Sequence, residues 1–212
     1  MTKQLKPEEI DSIFDKLSNA IDPKAELNFQ TTLDLLVAVV LSAQATDKAV
    51  NQVTAELWQH CRSAEDYLRF GQERLEQVCR RIGLFRNKTR SILGICEILL
   101  RDHDGQVPSQ REELMRLPGV GRKTANVVLN VGFGQPVIAV DTHIFRVSNR
   151  TGLAKGKTPD QVEEQLMQVV PKKYLLNAHH YLLLHGRYCC TARKPKCDSC
   201  VISLECRKIE AM

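Results

Sequence analysis

The chain has no long apolar run, no apolar leader, no low-complexity segment and no flexible tether. Its longest uninterrupted apolar stretch, Leu35 to Leu41, is seven residues, far short of the roughly 20 that cross a bilayer as a helix. The opening Met-Thr-Lys-Gln-Leu-Lys-Pro-Glu-Glu carries no apolar segment of the kind a secretory signal needs. The expectation is a cytoplasmic protein that neither spans nor crosses a membrane. Strand patterning is equally scarce. Val137 to Val140 is the one tempting strand, and a lone strand has no pairing partner.

What is present is a chain of 212 residues, 43% hydrophobic, which is enough for a substantial core. Periodicity and punctuation read as helices almost throughout. Thr31 or Thr32 caps a buried helix through Ser42, and Asp47 caps the next. Gly71 to Ile82 reads as one amphipathic helix stopped by Gly83 in a left-handed cap. Asn87 opens a helix that ends at Asp104-Gly105, and Ser109 with Glu112 fits a capping box. A turn from Pro118 to Gly121 leads into a helix from Arg122 toward Val131. Thr158-Pro159 starts another that Pro171 closes, and a last one runs from about Lys173 to Tyr188. The fold class is all-α. The Gln135-Pro136 break divides an N-terminal helical block from a C-terminal block containing the cysteines. Two helical lobes with a cleft between them are expected.

Eight cysteines without a secretory signal point to a reducing compartment, where clustered thiols bind metal more often than they form disulfides. Four lie on one ladder, Cys190-x6-Cys197-x2-Cys200-x5-Cys206. Thiolates are soft ligands, so this set selects zinc or an iron-sulfur cluster over hard cations. Spacing alone leaves both open, although a ladder wrapping one continuous segment favours the larger iron-sulfur object. Cys189 stands outside the pattern as a spare thiol, and Cys61, Cys79 and Cys96 read as small core residues. Residues 187–208 hold six basic groups against Asp198 and Glu205, so most of the chain's net charge of +5 sits there. Such a patch is the footprint of a polyanion partner, nucleic acid first. Arg193, Lys194 and Lys196, between the first two cysteines, are candidate phosphate contacts.

Leu117-Pro118-Gly119-Val120-Gly121-Arg122-Lys123-Thr124 has the form of a helix-hairpin-helix. Gly119 and Gly121 let the backbone turn and bare its N–H groups, and the next helix adds its positive end, making a phosphate cradle. Arg122 and Lys123 oppose that dipole, typically at about 0.3–1 kcal/mol each, so something other than helix stability selects them. Lys123 is either a phosphate contact or an amine for nucleophilic chemistry. Eighteen residues on, Val140-Asp141-Thr142-His143 places a carboxylate before a helix through Ile144 and Val147. Asp141 serves as an N-cap, and its second oxygen can still face a substrate. His143 reads as a backbone-contacting residue rather than a general base.

Taken in order, Leu-Pro-Gly-Val-Gly-Arg-Lys-Thr-Ala-Asn, Val-Asp-Thr-His and the cysteine ladder closely resemble the endonuclease III family of DNA glycosylases and abasic-site lyases. Leu41-Ser42-Ala43-Gln44-Ala45-Thr46-Asp47 and Ile82-Gly83-Leu84 extend the likeness across nearly the whole chain. The resemblance implies that Lys123 is the nucleophile attacking C1′ of a damaged pyrimidine nucleotide, forming a Schiff base that leads to β-elimination. It implies that Asp141 is the accompanying carboxylate, and that Gln44 and Leu84 fill the vacated stack and wedge the opposite strand. Gly119, Gly121, Arg122, His143, Arg193, Lys194 and Lys196 are then DNA contacts. Cys190, Cys197, Cys200 and Cys206 become ligands of a [4Fe-4S] cluster, carried by a block that both chain ends form (1–24 with 136–212) beside a six-helix block over 25–135. The partner is double-stranded DNA containing damaged pyrimidines or abasic sites, met by a monomer in the nucleoid. Adenine-specific relatives usually carry serine at the lysine position, so Lys123 favours bifunctional chemistry. A non-enzymatic DNA-binding module is the competing reading.

Overall fold

The computed structural model describes residues 5–208. Its helices are α1 Pro7–Ala20, α2 Thr32–Ser42, α3 Asp47–Leu57, α4 Ala64–Phe70, α5 Gln72–Cys79 and α6 Phe85–Asp102, followed by α7 Arg111–Leu114, α8 Arg122–Val127, α9 Thr142–Thr151, α10 Pro159–Val169 and α11 Lys172–Tyr188. No strand occurs among the described residues, and Val137 to Val140 is irregular. No described helix is long and apolar enough to cross a membrane. The chain divides into two compact units, one of which is Ala25–Gly134 while the other joins the residues on either side of it.

In the unit Ala25–Gly134, α2 is the central element. Leu33 through Leu41 are all buried, and a helix that is apolar all round has to be covered on every side. α3, α6 and α8 pack against it. Its start is fixed by a capping box: Thr31 Oγ1 accepts from Asp34 N–H (3.1 Å) and Asp34 Oδ2 accepts from Thr31 N–H (3.1 Å).

Several sequence expectations shift by a residue or split. Thr46, not Asp47, caps α3, because its hydroxyl accepts from Ala49 N–H. The expected helix over Gly71 to Ile82 is the single helix α5, Gln72–Cys79, which ends three residues early and is separated from α4 by Gly71 at φ 80°. Gly83 is not the left-handed residue of the following turn. Leu84 is, at φ 60°, and it caps α6 two residues before the expected Asn87 start is complete. Gln110, not Ser109, is the N-cap of α7. The helix toward Val131 is α-helical only to Val127 and then widens into a π-helical turn, Val128–Gly132.

In the unit of the chain ends, α9 packs on α11 and α10, and α1 on α11. Ile13, Phe14 and Leu17 of α1 meet Ile144, Val147, Leu166 and Leu182 in one core that also takes in Cys190 and Ile202. Gly186 of α11 is required by close approach: a Cβ there would stand 2.9 Å from both His143 Cβ and Val147 Cγ2. Thr158 and Pro159 start α10 as expected. Pro171, which ends that helix, is also the N-cap of α11.

Candidate functional site

The glycine hairpin of the unit Ala25–Gly134 is built against α6. Gly119 has φ 77°, and a Cβ on it would stand 2.8 Å from Ser91 Oγ, so both torsion and space demand glycine. Gly94 is its counterpart on the helix, since a Cβ there would meet Pro118 Cγ at 2.9 Å. The turn is closed by Val120 N–H donating to the Leu117 carbonyl (3.1 Å). Gly121 differs: its backbone is extended and nothing lies within 4 Å of a Cβ built on it. Its missing side chain keeps the approach to the start of α8 open, and no side chain caps that start.

Lys123 is exposed on the first turn of α8, and Arg122 beside it is half-buried. Asp47, expected only to cap a helix, is close enough to feel the lysine. Burial pushes its carboxyl above the usual carboxylate range while the Lys123 charge pulls it back. No local pattern joins residues 76 positions apart, so the pairing is not readable from spacing.

Gln44 and Leu84 belong to the same unit, and both take the left-handed conformation (φ 55° and 60°) that non-glycine residues adopt at a cost of about 1–2 kcal/mol. Gln44 is exposed. Leu84 is 57% exposed, unusual for a leucine that could have turned inward. The two turns are neighbours: a Cβ built on Gly83 lies 3.9 Å from the Gln44 carbonyl oxygen. Strain and exposure together mark both residues for a task other than packing.

Asp141, Arg146 and Arg150 lie on one helix of the other unit. Asp141 Oδ1 accepts from His143 N–H (2.9 Å) and Ile144 N–H (2.8 Å), which caps α9 and fixes the carboxylate. Oδ2 accepts no hydrogen bond among the described residues. His143 is half-buried, packed against Gly186, with Nδ1 3.2 Å from Arg146 Nη2. Arg146 also donates to the carbonyls of Gly186 (2.7 Å) and Cys190 (3.1 Å). Arg150 donates to those of Thr191 (2.8 Å) and Ala192 (3.2 Å) and to Cys190 Sγ (3.4 Å). The helix that Asp141 caps is thus tied directly to the start of the cysteine loop.

The four ladder cysteines line one cavity of about 490 Å³ with His185, Cys189 and Arg150. Its donor chemistry fits an iron-sulfur cluster. Besides the Arg150 contact, Lys208 N–H donates to Cys206 Sγ (3.3 Å), and N–H···S bonds stabilise thiolate ligands. Burial pushes the Cys200 thiol up to about 11 and raises that of Cys206. Bare thiolates are therefore unfavourable there, and a bound cation has to displace the protons. Within the cavity the tightest trio of donors is His185, Cys189 and Cys200, all within 4.8 Å of one another, so the thiol expected to be spare faces the site. Burial pushes His185 down to about 4, which keeps the imidazole neutral.

Arg193, Lys194 and Lys196 are exposed on this loop, and no carboxylate pairs with them among the described residues. The loop is held by Lys196 N–H donating to the Cys189 carbonyl (3.0 Å) and by Thr191 Oγ1 donating to that of Lys194 (2.7 Å). The basic patch is narrower than its sequence count, because Arg207 is bound to Glu9 of α1 (2.7 Å).

Residues 37–172 match the model of the HhH-GPD superfamily base excision DNA repair protein, and residues 190–203 match the iron-sulfur binding domain of endonuclease III. The chain is 53% identical to the endonuclease III of Escherichia coli strain K12 over 184 residues, 87% of each protein. It is 50% identical to that of Rickettsia conorii over 198 residues, 93% of this chain and 94% of the relative. A solved structure of a trapped endonuclease III–DNA covalent intermediate superposes with a TM-score of 0.91 at 45% identity, covering 97% of both chains. The cofactor is a [4Fe-4S] cluster. The chain belongs to the endonuclease III family of base excision DNA repair enzymes, which are DNA glycosylases with abasic-site lyase activity.

Proposed function

We propose that this enzyme removes oxidised pyrimidines from double-stranded DNA, with Lys123 as nucleophile, Asp141 as the accompanying carboxylate and Cys190, Cys197, Cys200 and Cys206 as the cluster ligands. The observation that carries the reading is the exposed Lys123 amine on the first turn of α8, directly behind a hairpin whose glycines bare the backbone. The deprotonated Nζ attacks C1′ of the nucleotide and the N-glycosidic bond breaks, the electron pair leaving with the base. The sugar ring opens to a protonated Schiff base. That iminium acidifies the C2′ hydrogens, loss of one drives elimination of the 3′ phosphate, and water then hydrolyses the imine to return the amine.

Asp141 serves this sequence with the oxygen its helix does not use, stabilising positive charge at the sugar or accepting a proton. Gln44 and Leu84 occupy the stack that the damaged nucleotide leaves. Gly119, Gly121 and Arg122 hold backbone phosphates, as do Arg193, Lys194 and Lys196 on the cluster loop, with His143 contributing from the start of α9. The cluster supplies cross-linking of its loop and no step of the chemistry. The enzyme works as a monomer in the nucleoid.

Borohydride trapping tests this reading on duplexes carrying a single thymine glycol, a single 8-oxoguanine or an abasic site. Wild-type protein is expected to cross-link to the thymine glycol and abasic duplexes, and Lys123→Ala to none. A Lys123→Ala adduct equal to that of wild type removes the lysine from the mechanism. Trapping confined to 8-oxoguanine removes the pyrimidine assignment.

A further inference from the structure

Lys88, on the second turn of α6, is 6% exposed, yet no carboxylate pairs with it among the described residues. Its Nζ donates to the carbonyls of Leu41 (3.0 Å) and Ala43 (2.5 Å). Those carbonyls end α2, a helix with no basic residue in its own last turn, so the ammonium sits at the negative end of the α2 dipole. The neighbouring Cys79 offers no counter-charge, since burial pushes its thiol up to about 12. Burial also disfavours the charged form of Lys88 itself. A buried cation held only by carbonyls is poor value for stability, because an apolar side chain of similar volume avoids the desolvation. What the lysine supplies is geometry. Its side chain grips the turn that presents Gln44, while its own backbone N–H donates to the Leu84 carbonyl (3.2 Å). One residue thus joins two turns that each hold an exposed side chain in a strained left-handed conformation.

We infer that Lys88 is a positioning residue that locks the Gln44 and Leu84 turns at a fixed spacing, so that both side chains enter a DNA duplex together. It touches no DNA itself. This rests on the reading of Gln44 and Leu84 as stack-filling residues, and it predicts a requirement confined to base-paired substrate, because a single strand has no stack to hold open.

The test compares Lys88→Met and Lys88→Gln with wild type by single-turnover cleavage of an abasic site in duplex and in single-stranded DNA. The same comparison is repeated in a Gln44→Ala, Leu84→Ala background. The expected result is a loss of about tenfold or more on duplex, the scale on which small misplacements act. The single-strand rate should stay within about twofold, and adding the Lys88 substitution to the double-alanine background should cause no further loss. Equal losses on both substrates, an additive loss in that background, or failure of both variants to fold overturns the positioning role. Absence of cleavage of either substrate by the wild type would instead defeat the lyase reading, and a wild type that cleaves duplex alone would overturn the predicted confinement of the Lys88 requirement to base-paired DNA. A double-alanine protein as active on duplex as wild type would defeat the stack-filling reading and the inference with it.

Discussion

On the proposed mechanism Asp141 has two roles on two oxygens, and substitution separates them. Oδ1 is bound by His143 and Ile144 N–H, while Oδ2 accepts nothing among the described residues. Asparagine caps helices about as well as aspartate, so Asp141→Asn should change stability by no more than about 0.5 kcal/mol, whereas Asp141→Ala should lose about 1 kcal/mol with the cap. Both variants should lose glycosylase rate alike, by about 100-fold or more, because neither retains a carboxylate. Urea unfolding and single-turnover excision on one set of samples check this. If Asp141→Asn keeps wild-type rate, the residue is a cap and nothing more. Gly119 makes the opposite point, that a residue with no side chain can be specified twice over. Its positive φ is the demand a Pro-Gly turn announces, but the 2.8 Å approach of Ser91 Oγ comes from another helix.

At the scale of elements, what sequence made legible was local and what it left dark was tertiary. Thr31, Thr158 with Pro159, and Asp141 declared helix starts because capping depends on a few adjacent N–H groups. The turn after α5 misled, since glycine is the default left-handed residue, yet Leu84 takes that conformation and Gly83 does not. Lys88 of α6 donates to the carbonyls of Leu41 and Ala43 at the α2 terminus, and no short-range pattern encodes that contact. The cysteine ladder was legible as four soft donors in one segment. The i,i+4 spacing puts His185 and Cys189 on one face at the end of α11, but that Cys200 returns to them was not legible, because the fold of the loop brings it there. The cluster loop also yields a prediction of its own. Arg193, Lys194 and Lys196 are exposed and lack carboxylate partners, whereas Arg207 is held by Glu9. Lys196→Ala should weaken binding equally on damaged and undamaged duplex and reduce the slope of log K against log salt by about 0.9, the value for one phosphate on B-DNA. Fluorescence anisotropy across a salt series measures it. An unchanged slope takes Lys196 off the phosphate backbone.

For the whole molecule, the cluster loop acts as a fastening within one unit rather than as a domain. Its ladder begins at Cys190 and Ile202 follows, both in the core with α1, α9, α10 and α11. Arg146 and Arg150 bind it to α9, and Arg207 binds it to Glu9 of α1 while its N–H donates to the Thr151 carbonyl (3.1 Å). Glu205 adds a hydrogen bond from Ser12 of α1 (2.8 Å). The unit Ala25–Gly134 has its own buried centre in α2 and contains no ladder cysteine. Removing the cluster by oxidation and chelation should therefore loosen one unit and spare the other, because metal binding contributes folding free energy only where its ligands lie. Hydrogen exchange read peptide by peptide should show faster exchange across 190–208, the last turn of α9 and the first turns of α1, with α2 and α6 as protected as before. Loss of the brown absorbance would report that the cluster has gone. Acceleration spread evenly through α2 and α6 would mean that the two units unfold as one and that the cluster supports both. Confined acceleration would place the cluster's structural contribution on α9, the helix that holds Asp141, and so connect the iron-sulfur centre to catalysis through position alone.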